Sequence, residues 1–277
     1  MIILVDSNAI CHQAKHSANL DFEGIKTGII FLFFLKIIKL AKALQSDHFV
    51  FCWDSMNSKR EEIFPEYKAH RRKERTPEEE RIDTGCYKQF NTLKSFILPA
   101  IGFESFAFDG YEADDLIASI VKNNEGPFVI VSSDSDLYQL LRDDVSMFMK
   151  EGYTIEDFEE EYKIHSTNWR HVKSISGCST DDIPGIAGVG EKTACKYLRK
   201  ELAVASRAYQ AIVAGKKIIQ FNLPLVSLPF EGTPVIKLRE QPKLSFDAYV
   251  KYCGKYGFNS LLEKENLQSC QKILNLQ

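Results

Sequence analysis

The chain has 277 residues, 44% of them hydrophobic and 26% charged, which suits one large α/β domain, alone or with a smaller helical region. This composition excludes a disordered chain, and a formal net charge of −3 means that any nucleic-acid binding must use local basic patches. Seven cysteines without a CxxC spacing favour a reduced, cytoplasmic protein. We expect neither a signal peptide nor a membrane span, because a strand-like MIILV opens the chain and the apolar stretch 29–41 is short.

Apolar runs at 2–5, 48–53 and 128–131 have the length and composition of buried strands. A mostly buried helix is predicted over 27–44, after a loop that follows the first strand. Strands alternating with helices predict a parallel central sheet flanked by helices. The remaining predicted elements are a helix from about 86 to 98, strands near 103–108 and 145–148, and helical structure after residue 153.

Acidic residues follow each of the three apolar runs, and a further acidic cluster opens the helical stretch that precedes the third run. They are Asp6, Asp54, the cluster Glu112, Asp114 and Asp115, and the pair Asp134 and Asp136. Each cluster alone is explained equally well by helix capping and the helix dipole. All of them, however, would lie at the carboxyl edge of the sheet, where ligands collect. Buried like charges need a counter-ion, so the pattern predicts a shared divalent-metal site.

Residues 59–81 are strongly charged and have no apolar stripe dense enough for a core helix. One interpretation is a solvated charged loop. The other is a mobile basic segment over the acidic crevice, able to hold phosphates and to stack a base. Its position directly after Asp54 favours the second. The residues in question are Phe64, Tyr67, Lys68, His70, Arg71, Arg72, Lys73 and Arg75.

Residues 174–200 contain two glycine turns, Pro184-Gly185 and Gly188-Val189-Gly190, followed by a helix that begins near Glu191. An ordinary helix–turn–helix corner would explain them. A GxG turn before a lysine-bearing helix start also suits sequence-independent phosphate-backbone binding, with further charge from Lys192, Lys196, Arg199 and Lys200. Beyond residue 203 the segments 221–226 and 235–238 are ambiguous, and 245–262 predicts two short helices.

Taken together, the strand ending in Asp6, the FPEYK segment with Arg71, and the motifs GYEADD, SSDSD and DDIPGIAGVGEKTA resemble the 5′ nuclease (flap endonuclease-like) family. That family includes phage 5′→3′ exonucleases and the 5′-nuclease domains of bacterial DNA polymerases. The resemblance extends in unbroken order from residue 2 to about residue 262.

The resemblance implies a PIN-like α/β nuclease domain over 1–165 with a helical arch at about 59–81. It also implies a helical DNA-binding region over 166–277 with a helix–hairpin–helix (helix–three-turn–helix) at about 174–200. Two Mg²⁺ ions would be held by hard oxygen ligands, with Mn²⁺ as an alternative. Asp6, Asp54, Glu112, Asp114 and Asp115 would form the first site, and Asp134, Asp136 and Asp181 the shared or second side. Catalytic cations would be Lys68 and Arg71. Nucleic-acid contacts would come from Tyr67, stacked on a terminal base, and from Gly188, Gly190, Lys192, Thr193 and Lys196, with K⁺ at the hairpin.

The chain departs from the family pattern at Cys178, where aspartate is usual, and at Asp182, where asparagine is common. A thiol is a poor Mg²⁺ ligand, which predicts a weak or Mn²⁺-favouring second site. The expected substrate is DNA with a 5′ end or flap. RNA-primer removal from an RNA–DNA hybrid, and a non-catalytic structure-specific binder, are the alternatives. We expect a free-standing, monomeric nuclease that works with a polymerase or a single-strand-binding protein.

Overall fold

The structure is a computed structural model that describes residues 1–15, 20–72, 76–148, 150–240 and 242–277. Lys73 and Arg75 of the predicted basic segment lie outside the described residues. Among the helices described, none is both long and apolar enough to cross a bilayer.

The central sheet has the strand order β5-β4-β1-β6-β7-β8, and all neighbours are parallel except β8, which runs antiparallel to β7. This confirms the predicted parallel-type sheet. Two short antiparallel pairs, β2–β3 and β9–β10, lie outside it. The strands are β1 Ile2–Asp6, β2 Asp21–Phe22, β3 Ile25–Lys26, β4 Phe49–Cys52, β5 Glu104–Phe106, β6 Phe128–Val131, β7 Val145–Phe148, β8 Gly152–Tyr153, β9 Gly177–Cys178 and β10 Ile183–Pro184.

Helices cover both faces of the sheet. They are α1 Ser7–Lys15, α2 Gly28–Leu44, α3 Arg60–Ile63, α4 Pro77–Thr92, α5 Leu98–Ile101, α6 Ala113–Asn123, α7 Ile155–Tyr162, α8 Trp169–Ser176, α9 Glu191–Leu198, α10 Arg207–Ala214, α11 Lys216–Val226, α12 Phe246–Lys255, α13 Asn259–Leu262 and α14 Lys264–Ile273. A π-helical segment, Leu93–Ile97, joins α4 to α5, and 3₁₀ turns occupy Ala69–Arg72, Ser135–Leu140, Ser166–Asn168 and Ser179–Asp181.

Successive residues of each strand point to opposite faces, so the sheet separates two hydrophobic cores. Ile3 and Val5 of β1 pack in the core that contains α2, whereas Leu4 packs in the core beneath α6 and α8. The C-terminal helices α12–α14 return to the first core, where Tyr249 packs edge-to-face on Phe34 with ring centroids 5.7 Å apart. Residues on both sides of position 165 therefore share cores with the sheet, and the functional division at 165 stays a prediction.

Several elements differ from their predicted bounds for identifiable reasons. A helix, α1, begins directly after Asp6, where a loop was expected, and Asp6 itself accepts the Ala9 amide in its first turn at 3.0 Å. The helix predicted from residue 86 begins at Pro77, because Thr76 and Glu79 form a capping box and proline suits the first helical position. The last residues of the predicted basic segment, 77–81, thus belong to α4. The ambiguous segment 221–226 is the end of α11, which contains Pro224.

Candidate metal centre and nucleic-acid interface

Five carboxylates, called the cavity acids below, line one cavity of about 710 Å³ at the carboxyl edge of the sheet, and a sixth acid that lines it, Glu191 of α9, pairs with Lys173. The parallel register produces this convergence: Asp6 ends β1 beside Cys52 of β4, and β6 runs on the other side of β1. The cavity acids come from the ends of β1 and β4, the start of α6 and the turn after β6. They are Asp6, Asp54, Glu112, Asp114 and Asp134.

Backbone and hydroxyl donors hold several of these carboxylates in place. Asp6 accepts the Ser132 hydroxyl at 3.1 Å, and Asp54 accepts the Ala113 amide, at the start of α6, at 2.8 Å. Asp134 accepts the amide of Asp136 at 2.8 Å. These bonds orient the oxygens at the strand ends without neutralising their charge.

Burial and mutual repulsion raise the pKa values of three of the cavity carboxyl groups. Burial, and then the charge of Asp54, raise the pKa of Asp6 to about 7. Burial also raises the pKa of Asp54 and, together with the neighbouring charges of Asp134, Asp6 and Asp54, raises the pKa of Asp114 well above its ordinary value. Ionising all of them together is therefore unfavourable unless a cation enters the cavity. Clustered hard oxygen donors of this kind fit a divalent ion such as Mg²⁺ or Mn²⁺.

Asp115 is not brought to the cavity. Its side chain is fully buried and accepts four hydrogen bonds: from Arg60 Nη1 at 2.7 Å, Arg60 Nη2 at 2.8 Å, the Phe230 amide at 2.9 Å and the Glu112 amide at 3.1 Å. These donors use the four lone-pair positions of the carboxylate. Asp115 therefore caps α6 and anchors Arg60, and we remove it from the predicted metal-ligand set.

Asp136 and Asp181 are not among the residues that line the cavity; they meet around Cys178, which does line it. The sulfur lies 3.5 Å from Asp181 Oδ2 and 3.9 Å from Asp136 Oδ2, and 3.0 Å from the Thr180 hydroxyl. Burial, followed by the charges of Asp136 and Asp181, raises the pKa of the Cys178 thiol to about 12. Burial likewise raises the pKa of Asp136 to about 6 despite the nearby Lys173.

The base of the predicted arch reaches this cavity through Lys68 and Arg71, which both line it. Lys68 Nζ lies 2.7 Å from Glu112 Oε2 and 3.5 Å from Asp181 Oδ1, and Arg71 Nη2 lies 3.6 Å from the same Asp181 oxygen. Burial alone would raise the pKa of Glu112, but Lys68 and Arg60 outweigh it and hold that pKa below its ordinary value. Two predicted catalytic cations thus lie among the acids.

Tyr67 does not lie where a stacking residue must. Its side chain is 1% exposed, and its hydroxyl donates to Glu112 Oε2 at 3.0 Å. The Lys68 ammonium lies 4.9 Å from the centre of its ring. In this conformation the ring supports the acidic cavity from behind and presents no face to a nucleic-acid base, so the stacking prediction is not supported.

The glycine hairpin between α8 and α9 forms another wall of the same cavity, through Gly177, Cys178 and Gly190. Gly185 is required here because a Cβ would lie 2.0 Å from the Ser176 carbonyl oxygen. Gly188 has a left-handed backbone, with φ of 76°, and nothing within 4 Å of a Cβ position, so its backbone is open to approach.

Gly190 caps α9, which begins at Glu191 as predicted. Lys192 and Lys196 are exposed on the same side of this helix, one turn apart, and Thr193 is half-buried between them. Arg199 is not available to a phosphate in the same way, because its guanidinium pairs with Glu201 at 2.6 and 2.7 Å and donates to the Tyr162 carbonyl.

Three residues at or behind this cavity were not singled out from the sequence: Lys173, Arg60 and Ser132. Lys173 is buried on α8, donates to Ser135 at 2.9 Å and lies 3.0 Å from both Asp136 and Glu191. The sequence does carry a signal for Lys173, since the other buried residues of α8 are apolar or small: Trp169, Val172, Ser174 and Ile175. Arg60 and Ser132 gave no local signal, because their partners Asp115 and Asp6 are distant in the chain.

Residues 1–163 match the family model for the 5′-3′ exonuclease N-terminal, resolvase-like domain. The chain is 33% identical over 216 residues to a 5′-3′ exonuclease of Bacillus subtilis, covering 72% of this chain and 70% of that one. It is 30% identical over 207 residues to the thermostable DNA polymerase I of Thermus aquaticus, a match that spans 72% of this chain but 24% of the polymerase.

Solved structures of the same fold include a bacteriophage T5 protein co-crystallised with metal ions. It has a TM-score of 0.72 and 26% identity, and the match covers 82% of this chain and 89% of that one. The catalytic core of Rad2 in complex with DNA substrate matches at a TM-score of 0.53 and 15% identity over 99% of this chain and 91% of that one, which shows the shared fold. These matches confirm the resemblance found in the motifs. The chain belongs to the 5′-3′ exonuclease family of 5′ nucleases.

Proposed function

We propose that this protein is a structure-specific 5′ nuclease that hydrolyses phosphodiester bonds at 5′ ends or flaps of DNA. The convergence of Asp6, Asp54, Glu112, Asp114 and Asp134 on one cavity is the observation that carries this proposal. The names of the relatives support it, since they include 5′-3′ exonucleases, and a T5 5′-exonuclease of 25% identity was solved with divalent zinc bound.

We assign Mg²⁺ as the working ion, because five carboxylate side chains converge on the cavity and Mg²⁺ prefers hard oxygen ligands. Asp6, Asp54, Glu112, Asp114 and Asp134 would hold one ion and share a second with Asp136 and Asp181. Ions bound there supply an activated water and stabilise the leaving oxygen. The acidic residues fix the position of the reacting phosphodiester by fixing where those ions sit.

Lys68 and Arg71 are the residues that would hold the scissile phosphate. Both lie at the cavity wall, and both are close to carboxylates that prefer a divalent ion to an ammonium or guanidinium group. Ions held by the acids would take the place of these two side chains beside Glu112 and Asp181 and would leave them to contact the substrate. Their fixed positive charge then stabilises the negative charge that develops on the phosphate.

The hairpin and the start of α9 would hold the duplex by its backbone. Gly188 allows close approach, the dipole of α9 favours an anion at its start, and Lys192 and Lys196 add positive charge on that helix. These groups recognise phosphate and not base edges, so binding is independent of sequence. We also place a monovalent cation such as K⁺ at this hairpin as part of the proposal.

The test is a 5′-labelled flap substrate incubated with Mg²⁺, Mn²⁺ or EDTA, with DNA and RNA versions of the 5′ strand compared. We expect short 5′-phosphorylated products with either metal and none with EDTA. Asp114→Ala should abolish cleavage, whereas Asp143→Ala, an exposed acid away from the cavity, should not. Cleavage that persists in Asp114→Ala or in chelator would overturn the metal assignment. Binding without any cleavage by the wild type would indicate a non-catalytic binder, and preference for the RNA strand would indicate primer removal.

A further inference from the structure

Another pocket, called the side pocket below, lies beside the acidic cavity. It has a volume of about 610 Å³ and shares the lining residues Ala9, Ser132 and Ser133 with that cavity. The Ser132 hydroxyl donates to the cavity acid Asp6 at 3.1 Å, so the two spaces meet one side chain away from the acids. A ligand held in the side pocket would therefore lie next to the place where the phosphodiester reacts.

The side pocket has an aromatic wall. Phe148, at the end of β7, and Tyr153 of β8 both line it. Tyr153 stacks on Tyr138, with ring centroids 5.0 Å apart and an interplanar angle of 27°, and its hydroxyl donates to Glu161 at 2.9 Å. These contacts hold the Tyr153 ring in place before a ligand arrives. A flat ring system can therefore pack against this wall at a low cost in side-chain entropy.

Lys36 gives the side pocket a positive charge. It belongs to α2, which is otherwise apolar apart from Lys39 and Lys42. Those two lysines are exposed, whereas Lys36 is half-buried and lines the pocket. The Lys36 ammonium makes no ion pair or hydrogen bond within the part of the chain that the structure describes. An anionic ligand would supply the partner that this partly desolvated ammonium lacks there.

The charge of the side pocket differs in sign from that of the acidic cavity. Lys36, Lys150 and Glu151 are its charged lining residues, two positive and one negative, so their formal charges sum to +1. The five cavity acids next to it would repel a phosphate in the absence of metal. A phosphate group near these two spaces is therefore favoured on the side of Lys36 and Lys150.

We propose that the side pocket binds one nucleotide unit, with its base against Phe148 and Tyr153 and its phosphate beside Lys36 and Lys150. The volume lies in the range of small-molecule sites. A base suits the aromatic wall, because every base has a face that stacks on an aromatic ring, and a phosphate suits the lysines. A purely apolar ligand would leave Lys36 without a partner, and inorganic phosphate would leave the aromatic wall uncovered. The nucleotide is either a released 5′-mononucleotide or a unit of the substrate strand, since the two share this chemistry.

The inference rests on the proposed function for the choice of a nucleotide, but binding can be measured without cleavage. The full-length protein in EDTA would be titrated into 2-aminopurine deoxyriboside 5′-monophosphate, a fluorescent nucleotide that is quenched when its base stacks. We expect saturable quenching by the wild type. Lys36→Ala should weaken binding by about tenfold or more, the scale of one lost charge-assisted contact. Lys36→Arg should restore most of the affinity, and Lys39→Ala, which changes an exposed lysine of the same helix, should leave it unchanged.

The matching nucleoside, which lacks the phosphate, tests whether Lys36 acts on that group. It should bind the wild type and Lys36→Ala equally, because the contact that the variant removes is one that the nucleoside cannot make. Circular dichroism would confirm that each variant is folded. Equal weakening of nucleotide and nucleoside binding by Lys36→Ala, or equal nucleotide binding by Lys36→Ala and Lys39→Ala, would overturn the proposal.

A short single strand that carries 2-aminopurine distinguishes the two sources of the nucleotide. Quenching of the mononucleotide that depends on Lys36 indicates a product site, and Lys36-dependent quenching of the strand alone indicates a substrate-strand site. No saturable quenching of either ligand by the folded wild type would refute the inference. Asp114→Ala separates it from the proposed function, since this variant should lose cleavage and keep nucleotide binding. A wild type that binds the nucleotide but cleaves no flap would contradict the proposed function alone.

Discussion

At the scale of single residues, two adjacent aspartates take opposite roles. Asp114 lines the cavity, and burial and its acidic neighbours raise its pKa. A nearby cation would stabilise its ionised form. Asp115 turns inward, caps α6 and neutralises Arg60. The motif letters alone do not distinguish them, because the difference depends on which side of the helix start each side chain leaves.

The first prediction concerns the thiol at the cavity wall. Cys178→Asp replaces a soft sulfur with a hard oxygen between Asp136 and Asp181, so Mg²⁺ should bind better there. We expect the Mg²⁺ concentration for half-maximal cleavage to fall by about tenfold or more, by the scale of metal-site substitutions. The measurement is a Mg²⁺ titration of flap cleavage, with Cys178→Ser as the control that removes the sulfur without adding a carboxylate. An unchanged titration would mean that position 178 is not a ligand position.

The second prediction concerns the cations at the base of the arch. Lys68→Ala and Arg71→Ala remove charge next to Glu112 and Asp181, where the reacting phosphate would lie. Single-turnover cleavage should slow by about 100-fold, while the dissociation constant for the flap duplex changes little. Lys264→Ala, an exposed cation on α14, is the matched control. Equal losses of cleavage rate and duplex affinity would instead favour the interpretation of this segment as a solvated charged loop.

At the scale of elements, the sequence specifies most of the framework because the signals are local. The strand 128–131, the helix 28–44 and the helix start at Glu191 depend on apolar runs and on glycine, which act over a few residues. The five cavity acids could be predicted because parallel strands present their carboxyl ends at one edge. The roles of Tyr67, Arg60 and Asp115 could not, because each is set by a partner 45 or 55 residues away in the chain.

The third prediction belongs to the element α9. Lys192→Ala and Lys196→Ala should weaken duplex binding to a similar extent for unrelated sequences, because we propose that these two exposed lysines contact phosphates and not base edges. Each should reduce the slope of log affinity against log salt by about 1. Salt-dependent binding to two duplexes of different sequence measures this. A loss confined to one sequence would contradict backbone recognition, and the single-turnover rate at saturating enzyme should stay unchanged.

At the scale of the whole molecule, the acids at the sheet edge connect stability to pH and metal. The pKa of Asp6 is about 7 in the folded protein against an ordinary 3.8, and that of Asp136 is about 6. From about pH 4 to about pH 7 the folded state therefore holds protons that the unfolded state has released. Stability must fall as pH rises through that window. Glu112, whose pKa is lowered, acts in the opposite sense, but its contribution is lost only at more acidic pH.

The fourth prediction follows from this balance. Without metal, the melting temperature should decrease as pH rises from about 4 to about 7, with Asp6 alone contributing at most about 4 kcal/mol. That energy corresponds to a change on the order of 10 °C for a chain of this size. Saturating Mg²⁺ should flatten the dependence, because the ion replaces the protons as the counter-charge of the cavity acids. Thermal unfolding at matched ionic strength, with and without Mg²⁺, measures this. Asp6→Asn should make the metal-free curve shallower, with Asp136 and the other raised acids still contributing, while Asp143→Asn should leave it unchanged. The same slope with and without Mg²⁺ would show that the acids do not share an ion.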